Sequence, residues 1–261
     1  MLIKIKFILK LMLLMVFILP NVGCSRDEPI QLTISAAASL AEPLQEIESL
    51  YSKKNAGVKI NLNLGATGEL QQQIEQGAPV DIFFSAAAKP MEKLIEQQLI
   101  DEKQQIILLR NELVIITSTT RDFEIENIEE LTQNQIEKVA IGIPESVPAG
   151  NYAKEVLMRV ELWEILQPKL IQAKDVKQVL QYVETGNVDA GFVYKTDALV
   201  SSKVNVALVI KPDLHSAITY HLGVVKSTKY LVETLDFYSF LQSIEALNIF
   251  KKYGFAMAKV G

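Results

Sequence analysis

The sequence predicts an α/β fold, and three observations carry that prediction. Apolar residues alternate with polar ones in short runs, and between those runs they recur every three or four positions. Small residues, hydroxyls and prolines gather where a run of the first kind passes into one of the second. With 49% hydrophobic and 22% charged residues over 261 positions, the chain can bury one large core or two smaller ones.

At the start, Lys4, Lys6 and Lys10 precede or interrupt an apolar segment whose unbroken part runs from Leu11 to Leu19. That is shorter than the roughly 20 residues that cross a bilayer. Pro20-Asn21-Val22-Gly23 leads to Cys24, the only cysteine, so no intramolecular disulfide can form. Residues 1–23 therefore read as a secretory signal peptide ending in a bacterial lipobox, with Cys24 as the lipidated residue and 24–29 as a polar tether. Asn21 stands where that motif usually has an aliphatic residue, and a plain signal with an incidental thiol is the alternative reading. Losing residues 1–23 removes three lysines and no acid, taking the net charge from -5 to -8. A nucleic-acid binder is not expected from that balance. No later segment is long and apolar enough to span a membrane.

The next elements follow in order. Ile30, Leu32 and Ile34 alternate as in a half-buried strand, and Leu40, Leu44, Ile47 and Tyr51 recur at helical spacing. Val58 to Leu64 is a second alternation, followed by a helix over 69–76. Val80 to Phe84 is a short strand, and Met91, Leu94, Ile95 and Gln98 mark the next helix. Further strands are expected at 113–117, 139–143, 190–194, 204–210 and 219–225, with helices at 150–166, 176–185 and 228–250. Ser118 to Asn127 reads as a long surface loop. Alternation of this kind argues for parallel sheets covered by helices. No internal repeat is visible.

In such sheets, ligands bind beyond the carboxyl ends of strands, where helix N-termini present free N–H groups. Ser39 stands at the first junction in Ala36-Ala37-Ala38-Ser39-Leu40, and Thr67 at the second in Gly65-Ala66-Thr67-Gly68. Ser85 follows the third strand. Each hydroxyl has an ordinary alternative as a helix cap, and Ser39 with Glu42 would make a capping box. Pro144 to Gly150 reads Pro-Glu-Ser-Val-Pro-Ala-Gly before a helix, so the amide of Ala149 can face a ligand; Pro148 also suffices as a turn former. Asp175 and Gln178 resemble a capping pair, leaving the amide of Val176 in the first turn. Tyr194 closes a strand, its ordinary reading being a core-edge aromatic whose hydroxyl reaches water.

With these residues in view, the chain resembles the molybdate-binding proteins of ABC transporters. The shared phrases are Ala36 to Leu40, Gly77 to Asp81, Val147 to Gly150, Tyr152 to Glu155, Asp175-Val176, Val193 to Ala198 and Phe250 to Phe255, in order from about 32 to 256. The resemblance implies a two-lobed periplasmic-binding-protein-like α/β fold with a ligand cleft between lobes, lobe 1 being 30–112 plus 216–261 and lobe 2 being 113–215. It implies an oxyanion held at Ser39, Thr67, Ala149, Val176 and Tyr194, with molybdenum or tungsten bound only as the oxyanion and no separate cofactor. Serine is usual at the second of these places; Thr67 keeps the hydroxyl and adds a methyl. The implied partners are a permease and its ATPase. The implied protein is a monomer whose lobes close on the ligand by hinge motion; with the lipobox reading, it would sit on the outer face of the membrane, held by its lipid alone.

The chemistry agrees. Molybdate and tungstate are tetrahedral dianions with no proton to donate at neutral pH, so a pocket of hydroxyls and N–H groups suits them without lysine or arginine. Hydrogen phosphate also needs an acceptor, for which Asp175 is the nearby candidate. A receptor for sulfate, phosphate or an organic anion is the alternative within the binding class. A secreted serine hydrolase would need His215 or His221 beside Ser39, and no Gly-x-Ser-x-Gly elbow is present. Gly-x-x-x-x-Gly-Lys is also absent, which excludes the transporter's ATPase, and a metal site lacks ligands, since Cys24 is assigned to the anchor and the two histidines stand alone.

Overall fold

The computed structural model describes residues 29–121 and 123–258. The expected signal peptide, Cys24 and residues 24–28 of the tether lie outside them. The described chain begins with β1 (Ile30–Ala37), the helix Ala41–Lys54 and β2 (Val58–Gly65). The helix Thr67–Glu75, β3 (Ile82–Ser85), the helix Ala88–Glu96 and β4 (Ile100–Arg110) follow. Then come β5 (Leu113–Ser118), β6 (Val139–Gly142), the helices Pro148–Arg159 and Trp163–Leu166, and β7 (Leu170–Ala173). The helix Val176–Glu184, β8 (Ala190–Tyr194), the helix Lys195–Leu199, β9 (Val204–Val209) and β10 (Thr219–Val225) lead to two last helices, Leu231–Leu241 and Ile244–Lys252, and to β11 (Ala256–Met257).

These strands form two sheets, ordered β11-β4-β10-β3-β1-β2 and β7-β6-β8-β5-β9. The chain passes from the first to the second at residues 111–112 and returns after β9, and the two passages touch where Asn111 N–H donates to the Ile218 carbonyl at 3.3 Å. Leu32, Ile34 and Ala36 of β1 are fully buried because β2 and β3 flank the strand and helices cover its faces. Helix Ala41–Lys54 presents Leu44, Ile47 and Tyr51 to that sheet and ends on Lys53 and Lys54, which suit the negative end of its dipole. Among the described residues no helix is long and apolar enough to cross a membrane.

The α/β class is as the sequence predicts, but the sheets are mixed rather than parallel throughout. β1 runs parallel to β2 and β3, while β10 runs antiparallel to β3 and β4. In the second sheet β6 is parallel to β7 and β8, whereas β5 is antiparallel to β8 and β9. The reversals arise where the chain changes sheet without a crossover helix. β4 escaped the sequence reading because Asp101 to Gln105 is an unbroken polar run, half-buried or exposed, and the ladder to β10 carries two register shifts, so no alternation survives. β7 is a four-residue edge strand with only Ala173 buried, equally silent in the pattern. The expected helix 150–166 breaks at Glu161, which takes the left-handed φ of 59°. The expected helix 228–250 divides at Ser243, whose hydroxyl caps the second part by accepting from Ala246 N–H at 3.3 Å.

Candidate functional site

Six strands end at one place. β1, β2 and β3 of the first sheet and β6, β7 and β8 of the second direct their carboxyl ends toward a small cavity between the sheets. It is lined by Ala37–Ser39, Gly65–Thr67, Ala86, Val147–Ala149, Asp175–Val176 and Tyr194. Ser39, Thr67, Ala149, Val176 and Tyr194, scattered over 156 positions of sequence, are thus brought together. The cavity measures about 220 Å³ including its opening, against about 1670 Å³ for the open groove beside it. A small inorganic ion fits such a space better than an extended organic solute does. Among the described residues, no lysine, arginine or histidine lines it.

Each donor has a local cause. Alanine and glycine at 36–38 and 65–66 keep bulk away from the strand ends, so backbone and hydroxyl approach the cavity closely. Pro148 opens the helix Pro148–Arg159, and Val176 opens the helix Val176–Glu184; Ala149 and Val176 therefore lie in first turns, whose N–H groups lack intrahelical acceptors. Gly150 holds the first of these helices against the end of β6: a Cβ there would fall 2.0 Å from the Gly142 carbonyl oxygen. Both helix dipoles put positive potential at the cavity.

The hydroxyls are not caps. Leu40 is the N-cap of helix Ala41–Lys54 and no side chain bonds there, so the expected Ser39–Glu42 capping box does not form. Instead Ser39 Oγ lies 2.8 Å from the Tyr220 hydroxyl. Thr67 is itself the first helical residue, with Ala66 as N-cap, and its Oγ1 accepts the Ala86 N–H at 3.3 Å. Its own proton is left for the cavity. Tyr194 corrects its ordinary reading: the side chain is 1% exposed and, among the described residues, its hydroxyl has no hydrogen-bond partner. Burial holds its pKa well above 10, so it remains a donor. Asp175 does cap, its Oδ1 accepting from Gln178 N–H at 2.8 Å, while Gln178 Oε1 accepts from Lys174 N–H at 2.8 Å. Ser85 turns away and donates to the Ala87 carbonyl.

Tyr220 was visible in the sequence only as a strand residue, and Asn111 not at all. Nothing local marks either, because the contacts that matter join Tyr220 to a serine 181 positions away. Both histidines are engaged elsewhere: His215 Nδ1 lies 2.7 Å from the Ser216 carbonyl and His221 Nε2 lies 2.9 Å from Thr219 Oγ1. Burial lowers the His221 pKa to about 4, so the ring is neutral and packed at physiological pH. Ser39 has a phenol beside it, not a base.

Contacts also join the two sheets around the cavity. Gly68 N–H donates to the Ser146 carbonyl at 2.9 Å. Lys177, next to Val176, reaches Glu42 of the first helix at 2.7 Å and the fully buried Asp197 at 3.2 Å. Burial alone would lower the Lys177 pKa, but Asp197 and Glu42 outweigh it and raise the value.

Two α/β lobes meeting over a small pocket beyond their strand ends define a solute-binding protein. The chain belongs to the bacterial extracellular solute-binding protein family, whose model matches residues 32–256. It is 48% identical over 240 residues to a Bacillus subtilis protein provisionally named an ABC transporter substrate-binding lipoprotein, covering 89% of this chain and 92% of that one. It is 36% identical over 231 residues to the molybdate-binding protein ModA of Escherichia coli, covering 87% and 89%. The periplasmic molybdate-binding protein of Azotobacter vinelandii superposes with a TM-score of 0.79 over 87% of this chain and 100% of that one, at 23% identity, which speaks for the fold. The chain is accordingly an extracytoplasmic, non-enzymatic solute-binding component of an ABC transporter.

Proposed function

We propose that this protein captures molybdate or tungstate between its lobes and delivers it to the permease and ATPase of an ABC importer. Ser39, Thr67 and Tyr194 would donate hydroxyl protons to the oxyanion, and Ala149 and Val176 their backbone N–H groups. The observation that carries this reading is the donor-rich lining: three hydroxyls and two helix starts converge, among the described residues no cation joins them, and the one carboxylate there, Asp175, turns its Oδ1 to its own helix. Such a lining suits a tetrahedral dianion without a proton and disfavours hydrogen phosphate, which leaves a donor facing donors. The names of the relatives favour molybdate over sulfate, the other dianion of this kind. Residues 30–112 plus 216–261 and 113–215 would be the two bodies that close on the ligand, with the passages at 111–112 and 216–218 as hinges.

The test is thermal melting with each oxyanion. Molybdate or tungstate at about a thousand times its dissociation constant should add roughly 4 kcal/mol, a rise of roughly 8–16 °C for a chain of this size. A melting temperature moved by sulfate or phosphate and not by molybdate or tungstate would reject the assignment. We further propose that Cys24 is acylated and anchors the protein, a reading supported by the lipoprotein name of the Bacillus subtilis relative. Cys24→Ala should then release it from membranes, and a wild-type chain found free in the medium with an unmodified thiol would refute the anchor.

A further inference from the structure

The hydrogen bonds behind Ser39 run in one direction. Asn111, in the first passage between the sheets, accepts the Glu112 N–H on Oδ1 at 2.9 Å. That contact orients the amide, so Nδ2 faces Thr196 Oγ1 at 2.9 Å and the Tyr220 hydroxyl at 3.2 Å. An amide nitrogen donates and never accepts, so at that contact the tyrosine oxygen is the acceptor. Its single proton goes to the other neighbour in reach, Ser39 Oγ at 2.8 Å. Tyr220 is fully buried, and burial keeps its phenol protonated far above the ordinary value. Ser39 Oγ therefore receives a proton from Tyr220 and keeps its own for the cavity. Thr67, which accepts from Ala86 N–H, is arranged with the same polarity.

We infer that Asn111 and Tyr220 are positioning residues that set the polarity of Ser39, so that it presents a proton to the bound oxyanion. The inference rests on the proposed role of Ser39 at the ligand. It adds that the direction of this donor is imposed from the hinge, through two side chains that do not line the cavity. A serine without this relay can turn its lone pair to the ligand as readily as its proton. With the relay, the pocket is prepared for an anion that only accepts.

Calorimetric titration with sodium molybdate tests this on the full folded protein, using Ser39→Ala, Asn111→Asp, Tyr220→Phe and the Asn111→Asp/Tyr220→Phe double variant. Asn111→Asp replaces the donor with an acceptor: Tyr220 turns its proton to residue 111, Ser39 turns its proton to Tyr220, and the cavity loses a donor. Molybdate binding should weaken roughly tenfold or more. In the double variant no phenol remains to take the Ser39 proton, so affinity should recover to within roughly threefold of Tyr220→Phe alone. A structural defect or a long-range charge effect of Asp at 111 acts with or without the phenol. A double variant as weak as Asn111→Asp therefore overturns the relay. Ser39→Ala with unchanged affinity overturns the relay and the proposed site together, whereas a weakened Ser39→Ala without rescue overturns the relay alone. Should Asn111→Asp fail to fold, Tyr220→Phe decides through competition by sulfate and phosphate, anions of similar size. Freed of its incoming proton, Ser39 can accept from hydrogen phosphate, so phosphate should gain on sulfate by roughly threefold or more. An unchanged ratio overturns the proposal.

Discussion

Tyr194 separates binding from stability more cleanly than any other side chain at the cavity. Its hydroxyl is buried and unpartnered among the described residues, while its ring packs edge-on against Tyr220 with centroids 5.9 Å apart. Tyr194→Phe keeps the ring and removes only the donor. The unliganded protein should lose no stability and gain about 1 kcal/mol, since a buried group without a partner is unfavourable. Molybdate affinity should fall by about 1.5–3 kcal/mol, roughly 10- to 150-fold, because the bond proposed between this hydroxyl and the dianion is charge-assisted. Melting and titration of the one variant check both halves. A lower melting temperature with full affinity would place the hydroxyl in the fold and not at the ligand. At this scale the sequence was informative about residue type: small neighbours around Ser39 and Thr67 mark places where a ligand can reach the backbone. It said nothing of direction. Whether Ser39 caps a helix or points a proton into a cavity depends on Tyr220, and that contact is invisible to local pattern.

The starts of helices organise the site at the next scale. Pro148, Asp175 and the alanines of 36–38 were legible as strand-to-helix junctions, and their helices begin within one or two residues of where the pattern puts them. β4 and β7 were not legible, since water-facing and edge strands lack the alternation that burial imposes. Two ion pairs that share Lys177 tie three elements together: Lys177 of helix Val176–Glu184 binds Glu42 of helix Ala41–Lys54 and Asp197 of helix Lys195–Leu199. Asp197 has its pKa raised to about 6, chiefly by burial and against the pull of Lys177. Because the folded value lies above the ordinary 3.8, protonation favours the fold: the benefit is complete below 3.8 and is lost as pH rises through about 6. Lys177→Met leaves the Asp197 carboxylate buried and unpaired, which should cost about 3–5 kcal/mol at pH 8. At pH 5 most of that cost should vanish, since a protonated Asp197 needs no cation. Urea midpoints of parent and variant at the two pH values decide it. An equal loss at both would show that Lys177 acts by packing alone.

For the molecule as a whole, the question is how the lobes meet. Gly68, directly after Thr67, donates its N–H across the cleft to the Ser146 carbonyl. A Cβ on residue 68 would lie 2.9 Å from both Cα and O of Ser146, atoms of backbone that cannot rotate aside. Gly68→Ala should leave each lobe folded, keep its circular dichroism, and hold the lobes slightly apart. Overpacking of this kind costs about 1–3 kcal/mol, which at the ligand appears as roughly 5- to 150-fold weaker molybdate binding. Small-angle scattering with saturating molybdate should show a larger radius of gyration than the parent. Unchanged affinity would exclude the Gly68–Ser146 contact from the liganded form.

What the amino-acid sequence determined by itself is the α/β class, the order of most elements and the chemistry of the junctions. Those features rest on periodicity and on residue type, which act over a few positions. The resemblance to molybdate-binding proteins extended this to two lobes and a shared cleft. Only the tertiary structure decided the mixed strand directions, the partners of each hydroxyl and the contacts across the cleft. Strand direction depends on where the chain changes sheet, and the donor polarity of Ser39 depends on Asn111 of the first passage and Tyr220 of β10, which are far apart in sequence. A hydroxyl carries its chemistry alone, but its proton is aimed by neighbours that folding supplies.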